Sequence, residues 1–409
     1  MKKMGMILIT LVVVLQTTAA LAISERYVSG DYVYRLNDGK ATIIVYNGTA
    51  TDLELPSHID GYPVTKVALG KGNIVEGIQT VTIPYGVEVI GSSAFERFTD
   101  LVSVTIPDSV TTIEYRAFAD CNSLTSIAIP ESVTTIGVGA IAECDNLTVA
   151  TVNSNILGVS MFGACHSLTT VYLNGALTEI PESAFYACKG LSSITIPETV
   201  TKIGKRAFHM CSALSAINIP EGVTELGYGA FGNCSNLTSV IFQNPNTAFQ
   251  TTFADGPILA PNIPTFEGSN NISIYAFEGT QAQAYAMEKQ LPYTQLARVE
   301  LNGEQLKFDV PPMLEKDRVL VPMRKIFETL GAEVSWNDES QTATAVTADK
   351  TIELQIDRAA ITVNGEEHPI DVSPKMMFNR TLVPVRAVSE SMGLSVEWDN
   401  AAQTVIINN

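Results

Sequence analysis

The residue type best placed to do chemistry in this chain is cysteine. All six stand in one slot of a recurring unit: Cys121, Cys144, Cys165, Cys188, Cys211 and Cys234. An even count would suit a disulfide framework in an exported protein. Two features favour buried thiols instead. The same slot of an earlier unit holds Phe98, so the position asks for apolar bulk. Neighbours on a ladder also carry parallel Cβ vectors about 4.8 Å apart, wider than the ~3.8 Å a disulfide prefers. Distance alone does not exclude adjacent pairing, but the six read as a structural thiol ladder of small hydrophobes.

Other constellations are thinner. Metal ligation needs clustered donors, yet even the closest cysteines, Cys144 and Cys165, are separated by a whole unit of the pattern. The only histidines are His58, His166, His209 and His368. None forms a ligand spacing, so no metal and no cofactor is expected. His166 follows Cys165, but adjacent side chains point apart, and no orienting acid or oxyanion donor is recognisable. Phosphate-binding glycine motifs and a nucleophile-elbow serine are absent, so no catalytic residue is assigned. Carboxylates follow proline at Asp108, Glu131, Glu198 and Glu221. Stacked copies would align them into a stripe of the oxygen donors calcium uses; a solvated face is the simpler reading.

The elements that carry these residues repeat. Aligned on one aliphatic position, units start at Ile78, Leu101, Leu124, Leu147, Leu168, Leu191, Leu214 and Leu237, in steps of 23 except for one of 21. A fixed period of this size is the mark of a solenoid. Each unit opens with an alternating aliphatic pair, such as Val104/Ile106 or Ile194/Ile196. Period-two, β-branched alternation makes each a short strand with one buried face. Proline ends the strand at 84, 107, 130, 197 and 220, because it has no backbone donor. Glycine often follows, at Gly91, Gly137, Gly204 and Gly227, and is expected to supply a positive φ for a tight reversal. Ala-Phe then recurs, ending in Phe95, Phe118, Phe185, Phe208 and Phe231, as bulky filler between coils. One coil cannot bury such side chains alone, so stacking makes the core. The fourth copy is short, with Asn153 for proline and Met161-Phe162 for Ala-Phe; a local kink or bulge is expected there.

The opening stretch, 1–22, reads as a secretory signal peptide, with Lys2 and Lys3, an apolar run from Met4 to Leu15, and Ala20-Leu21-Ala22 as the cleavage site. That apolar run is too short to span a bilayer, which needs about 20 residues, and no later stretch is long enough. Cleavage takes the formal charge from −18 to −20. That balance excludes nucleic acid or an anionic membrane as partners held by bulk electrostatics.

The units "LTSIAIPESVTTIG", "LSSITIPETVTKIGKRAF" and "LSAINIPEGVTELGYGAF" resemble the BspA-like (Treponema pallidum type) class of bacterial leucine-rich repeats. The flanks are similar to that family's ends: an opening hairpin turning at Asn37-Asp38-Gly39, and a closing cap with a helix from about Gln281 to Lys289. The resemblance covers roughly residues 27–297. It implies a repeat solenoid with a parallel β-sheet on its concave face, and a function in adhesion.

From about Arg298 a second symmetry replaces the first. Asn302-Gly303 recurs as Asn364-Gly365, "RVLVPMR" as "RTLVPVR", Gly331 as Gly393 and Trp336 as Trp398, every offset being 62. Each half reads as strand, strand, helix, strand, strand. Pro322 and Pro384 suit helix starts, and Gly331 and Gly393 helix ends. Met323, Ile326, Phe327 and Leu330 form one apolar face. This stretch resembles the copper amine oxidase N-terminal-like (stalk) domain of secreted bacterial proteins. The resemblance implies a non-catalytic accessory fold, since nothing matches an oxidase's cofactor tyrosine or metal-binding histidines.

The expected organisation is therefore a signal peptide at 1–22, a hairpin cap and opening repeat at 23–77, repeats with a closing cap at 78–297, and an α+β domain with an internal duplication at 298–409. The expected function is non-catalytic binding outside the cell or at its envelope, to an extracellular protein or surface glycan. The candidate contact row is the outward strand position: Thr82, Thr105, Ala128, Thr151, Tyr172, Thr195, Asn218 and Ile241. Only Tyr172 there has the character of an anchor. The alternative is a wall-associated scaffold, with the repeats as spacer and the stalk domain retaining the chain.

Overall fold

The computed structural model describes residues 25–70, 76–249, 265–269 and 271–408; the expected leader lies outside them. The first described strand, Tyr27–Ser29, pairs antiparallel with Tyr32–Asn37, which turns directly into Lys40–Tyr46, and Asn37 pairs with Lys40. Asp38 and Gly39 both take positive φ, 50° and 73°, the conformation a two-residue hairpin turn requires. Lys40–Tyr46 then pairs in parallel with Tyr62–Val67, which starts a ladder of two-residue strands at Val89–Ile90, Thr112–Ile113 and Thr135–Ile136.

The main ladder lies on the other side of each coil. It begins before the first recognisable unit: Asp52–Glu54 pairs with Thr80–Thr82, and that with Ser103–Thr105. Ser126–Ile129, Val149–Val152 and Thr170–Leu173 follow as a second parallel sheet, in register with one another. The ladder resumes with Ala216–Ile219, Ser239–Phe242, Ser273–Ala276 and Tyr293–Gln295. The last two strands lack the repeat motif and flank the cap helix Gln281–Glu288, whose N-cap Thr280 accepts from the Gln283 N–H.

Between the two ladders runs a column of phenyl rings. Phe162, Phe185, Phe208 and Phe231 are fully buried and stack with centroids 5.6, 5.3 and 5.3 Å apart. Phe95 and Phe118 form the same stack at 5.2 Å. Ile141 interrupts the column in the third unit. Each ring is sealed by its neighbour's coil, worth about 1.5–3 kcal/mol apiece by transfer.

Two expectations need correcting. The fourth copy has no bulge in its main strand, for Val149–Val152 keeps unbroken register on both sides. Its missing residues fall in the short-strand ladder, which stops at Thr135–Ile136 and resumes only at Glu179–Ile180. The recurring glycines are not there for positive φ either. The left-handed residues sit two places later: Ser93, Gly139, Arg206 and Gly229, at φ 52–63°. What the glycine slot requires is close approach. A Cβ on Gly137 would lie 2.3 Å from Tyr115 N, on Gly204 2.6 Å from Glu182 N, and on Gly227 2.4 Å from Lys205 N. The backbone of the preceding coil occupies the space a side chain would need.

The second domain is built from interlocked halves. Its centre is the antiparallel sheet Met313–Glu315, Arg318–Pro322, Arg380–Pro384 and Lys375–Met377, in which Leu320 faces Pro384 and Pro322 faces Leu382. Helices Met323–Thr329 and Val385–Ser391 leave this sheet with Pro322 and Pro384 as their N-caps. Met323, Ile326 and Phe327 are buried and Leu330 packs against them; Gly331 and Gly393 end the helices at φ 82° and 88°. The first strand of the domain, Arg298–Leu301, pairs in parallel with its last, Thr404–Asn408, so the domain is not purely antiparallel and closes on its own ends. Each half also gives the other an ion pair: Asp309 takes Arg380, and Asp371 takes Arg318.

Candidate binding face of the solenoid

Register aligns the outward row in three groups. Thr82 lies beside Thr105, then Ala128, Thr151 and Tyr172 align across three strands, and Asn218 aligns with Ile241. Thr195 stands in an extended segment outside any ladder. Thr82, Thr105, Ala128, Tyr172 and Thr195 are exposed, and Thr151 and Asn218 half-buried. Tyr172 keeps 54% of its surface open. Asn218 spends its Oδ1 on the Gln243 side-chain amide at 3.0 Å.

Ile241 is not available as a contact. It is 4% exposed and belongs to a cluster with Phe277, Leu296, Val310, Met313, Leu320, Val372 and Leu382. The row continues past it to Tyr275 and Thr294, and Tyr275 meets Phe378 of the second domain edge-on at 5.2 Å. Arg298 lies 4.3 Å over the Phe277 ring. The second domain thus roofs the C-terminal end of the row, because an apolar outward residue there is worth covering.

Beside the free part of the row runs the acidic stripe. Asp108 and Glu131 border a shallow depression of about 380 Å³ with Ala128 at its floor. Further along, Glu198 and Glu221 line a cleft of about 310 Å³ whose opposite wall carries Arg298, Lys307 and Phe308. Those cations belong to the second domain, which the repeat pattern could not place. Among the described residues no three His, Cys, Asp or Glu side chains converge as a metal site.

The cysteines line the interior, all six buried and free. Each thiol donates to a carbonyl of the preceding coil at 3.1 Å: Cys121 to Phe95, Cys144 to Phe118, Cys165 to Ile141, Cys188 to Phe162, Cys211 to Phe185 and Cys234 to Phe208. That bond went unread in the sequence, where the slot looked merely apolar. Burial pushes the Cys188 and Cys211 thiols well up and Cys234 to about 12, so at neutral pH these three are unreactive donors. His166 points the other way, its Nδ1 2.7 Å from Asp145 on the surface.

A stacked, single-period coil with parallel ladders and an aromatic spine defines a leucine-rich-repeat solenoid. The family described as the BspA-type leucine-rich-repeat region matches residues 75–191 and 155–284, with six copies. These ranges together take in just over half of the sequence, and the chain belongs to that family. The copper amine oxidase N-terminal domain matches residues 300–407. Similar solved structures include a leucine-rich cell surface protein from Faecalibacterium prausnitzii, 29% identical over 62% of this chain and 79% of its own, with a TM-score of 0.44. A leucine-rich-repeat protein from Bacteroides ovatus is 23% identical over 61% of this chain and 70% of its own, at a TM-score of 0.44. The leucine-rich-repeat protein of T. pallidum is 26% identical over 52% of this chain and 91% of its own, at 0.39. No curated protein matches the chain. Among the described residues no helix is long and apolar enough to cross a membrane.

Proposed function

We propose that this is an exported, non-catalytic protein of the cell surface or its surroundings that binds an extracellular protein or surface glycan through the outward row of its main ladder. The observation that carries the reading is the uncovered part of that row. From Thr82 to Thr195 it is uncharged and mostly small, and at Tyr172 it offers a half-exposed aromatic. Such a surface gives contact area with few rotors to immobilise, and a tyrosine anchor supplies most of the binding free energy. The relative from F. prausnitzii carries the description of a cell surface protein, which agrees with this reading. The scaffold alternative requires the two domains to act apart, whereas the cluster around Ile241 and Phe277 joins them.

The test is to array extracellular proteins and surface glycans against the full chain and against Tyr172→Ala. Truncating the anchor should weaken the strongest hit by about 1–3 kcal/mol, with the thermal transition unchanged because no core cavity opens. An identified ligand whose affinity ignores Tyr172→Ala would refute the assignment of this face.

A further inference from the structure

The duplicated domain contains the same cleft twice, and only one copy is closed on one side by the cap of the solenoid. The smaller, of about 290 Å³, has eleven lining residues from the second domain, among them Arg318, Arg386 and Trp398. Each of the eleven has its counterpart, at the constant offset of the duplication, in the lining of a cleft of about 670 Å³ on the other half, which places Arg380, Arg324 and Trp336 there. The smaller cleft has a further wall that the larger lacks: Glu278 and Gln295, from the cap of the solenoid.

Two exposed hydrogen bonds with Gln403 hold that wall. Gln403 reads Glu278 at two points. Its Oε1 accepts from the Glu278 backbone N–H at 3.0 Å, and its Nε2 donates to the Glu278 carboxylate at 3.3 Å. Glu278 sits in a turn, followed by Gly279 at φ 76°. In the open cleft the counterpart of Gln403 is Gln341, exposed, with its Nε2 on the Asp338 carbonyl at 2.7 Å. No described bond uses its Oε1. Lys325, where the closed half has Ala387, adds an exposed cation to the rim.

We infer that the open cleft is a second binding site, one that takes a glutamate-bearing turn of another polypeptide as the closed cleft takes Glu278 of this chain. The amide of Gln341 meets the main-chain N–H, Lys325 faces the carboxylate, and the Trp336 ring forms the floor. The site is independent of the solenoid face and does not rest on the adhesion reading.

Trp336 and Trp398, one in each cleft, are the two tryptophans of the chain, so the site reports on itself. Full-length Trp398→Phe protein keeps Trp336 as its one indole and is titrated with a blocked peptide of residues 273–280, Ser-Ile-Tyr-Ala-Phe-Glu-Gly-Thr. The expected result is a saturable change in Trp336 emission, half-complete at or below about 1 mM, the scale of a few short contacts. Gln341→Ala should weaken it about five- to tenfold, the value of one to two hydrogen bonds, and replacing the peptide's glutamate by glutamine should weaken it further. The matching Trp336→Phe protein, with Trp398 in the cleft already walled by Glu278, should not respond. Absence of a saturable change at about 5 mM, an equal change with the scrambled peptide, or indifference to Gln341→Ala in a protein with an unaltered thermal transition would overturn the inference. A change with chitotetraose and none with the peptide would overturn it in favour of a sugar site.

Discussion

Alkaline pH should unfold the solenoid well before it touches an ordinary protein of this composition. The perturbation is ionisation of the buried thiols. In an unfolded chain a cysteine ionises near pH 8.5; in the fold burial holds Cys234 to about 12, and Cys188 and Cys211 are also pushed well up. A group whose folded pKa is raised stabilises the fold fully below its unfolded pKa and loses that contribution as pH climbs toward the folded value. Between pH 7.5 and 9.5 each such thiol therefore gives up about 1.4 kcal/mol, and the three together about 4 kcal/mol, by linkage. That is a large part of the 5–15 kcal/mol a domain typically has. Tyrosines enter little at pH 9.5, because unfolded tyrosine ionises only near 10. The assay is urea unfolding followed by circular dichroism at both pH values, anaerobically with a phosphine reductant. The triple variant Cys188→Ala, Cys211→Ala, Cys234→Ala is the control; it should be weaker at pH 7.5 and lose about 4 kcal/mol less than the native chain on going to pH 9.5. Equal stability of the native chain at both pH values, or the same alkaline loss in the triple variant, would refute the reasoning.

Phe185→Ala removes a fully buried ring held between Phe162 and Phe208 and should cost about 3–5 kcal/mol, read as a lower urea midpoint; a near-neutral result would contradict the stacked core. Gly204→Ala should cost about 1–3 kcal/mol by overpacking, since its Cβ would press on Glu182 N at 2.6 Å, and thermal melts of this variant beside a Ser93→Gly protein separate crowding from backbone conformation.

Much of this fold is legible because each copy repeats the physics of its neighbour. Strand alternation, proline stops and the cysteine slot recur from unit to unit, and one copy's burial pattern is nearly every copy's. The hairpin turn at Asp38-Gly39, the helix ends at Gly331 and Gly393 and the apolar helix face follow from local rules that need no partner. What escapes is whatever depends on a neighbour the pattern does not name. The glycine slot looks like a turn signal, yet it answers to a backbone one coil away. The cysteine slot looks apolar, yet a carbonyl of the preceding coil selects a side chain that is both small and a donor. Ile241 has the sequence signature of an outward residue, and it is one; that a second domain covers it follows from the surface of Val310, Leu320 and Leu382, which no repeat period encodes. Tyr275 and Thr294 extend the same row on strands that carry no motif at all.

The second domain shows where duplication binds a sequence and where it releases it. Several positions through which the halves hold each other are identical across the duplication: Asp309 and Asp371, Arg318 and Arg380, Val310 and Val372, Leu320 and Leu382. A change at one of these breaks a contact that belongs to both halves. Other cleft residues differ: Ser335 against Glu397, Asp338 against Asn400, Thr381 against Val319, Ala343 against Val405. The open cleft carries the smaller or more polar side chain in all four of these pairs, and it is the larger cleft. Trp336 and Trp398 stay the same, as do Arg324 and Arg386. A frame that is kept while its walls change is what two different occupants of one kind of cleft would require, and the occupant of the closed half is the chain's own Glu278.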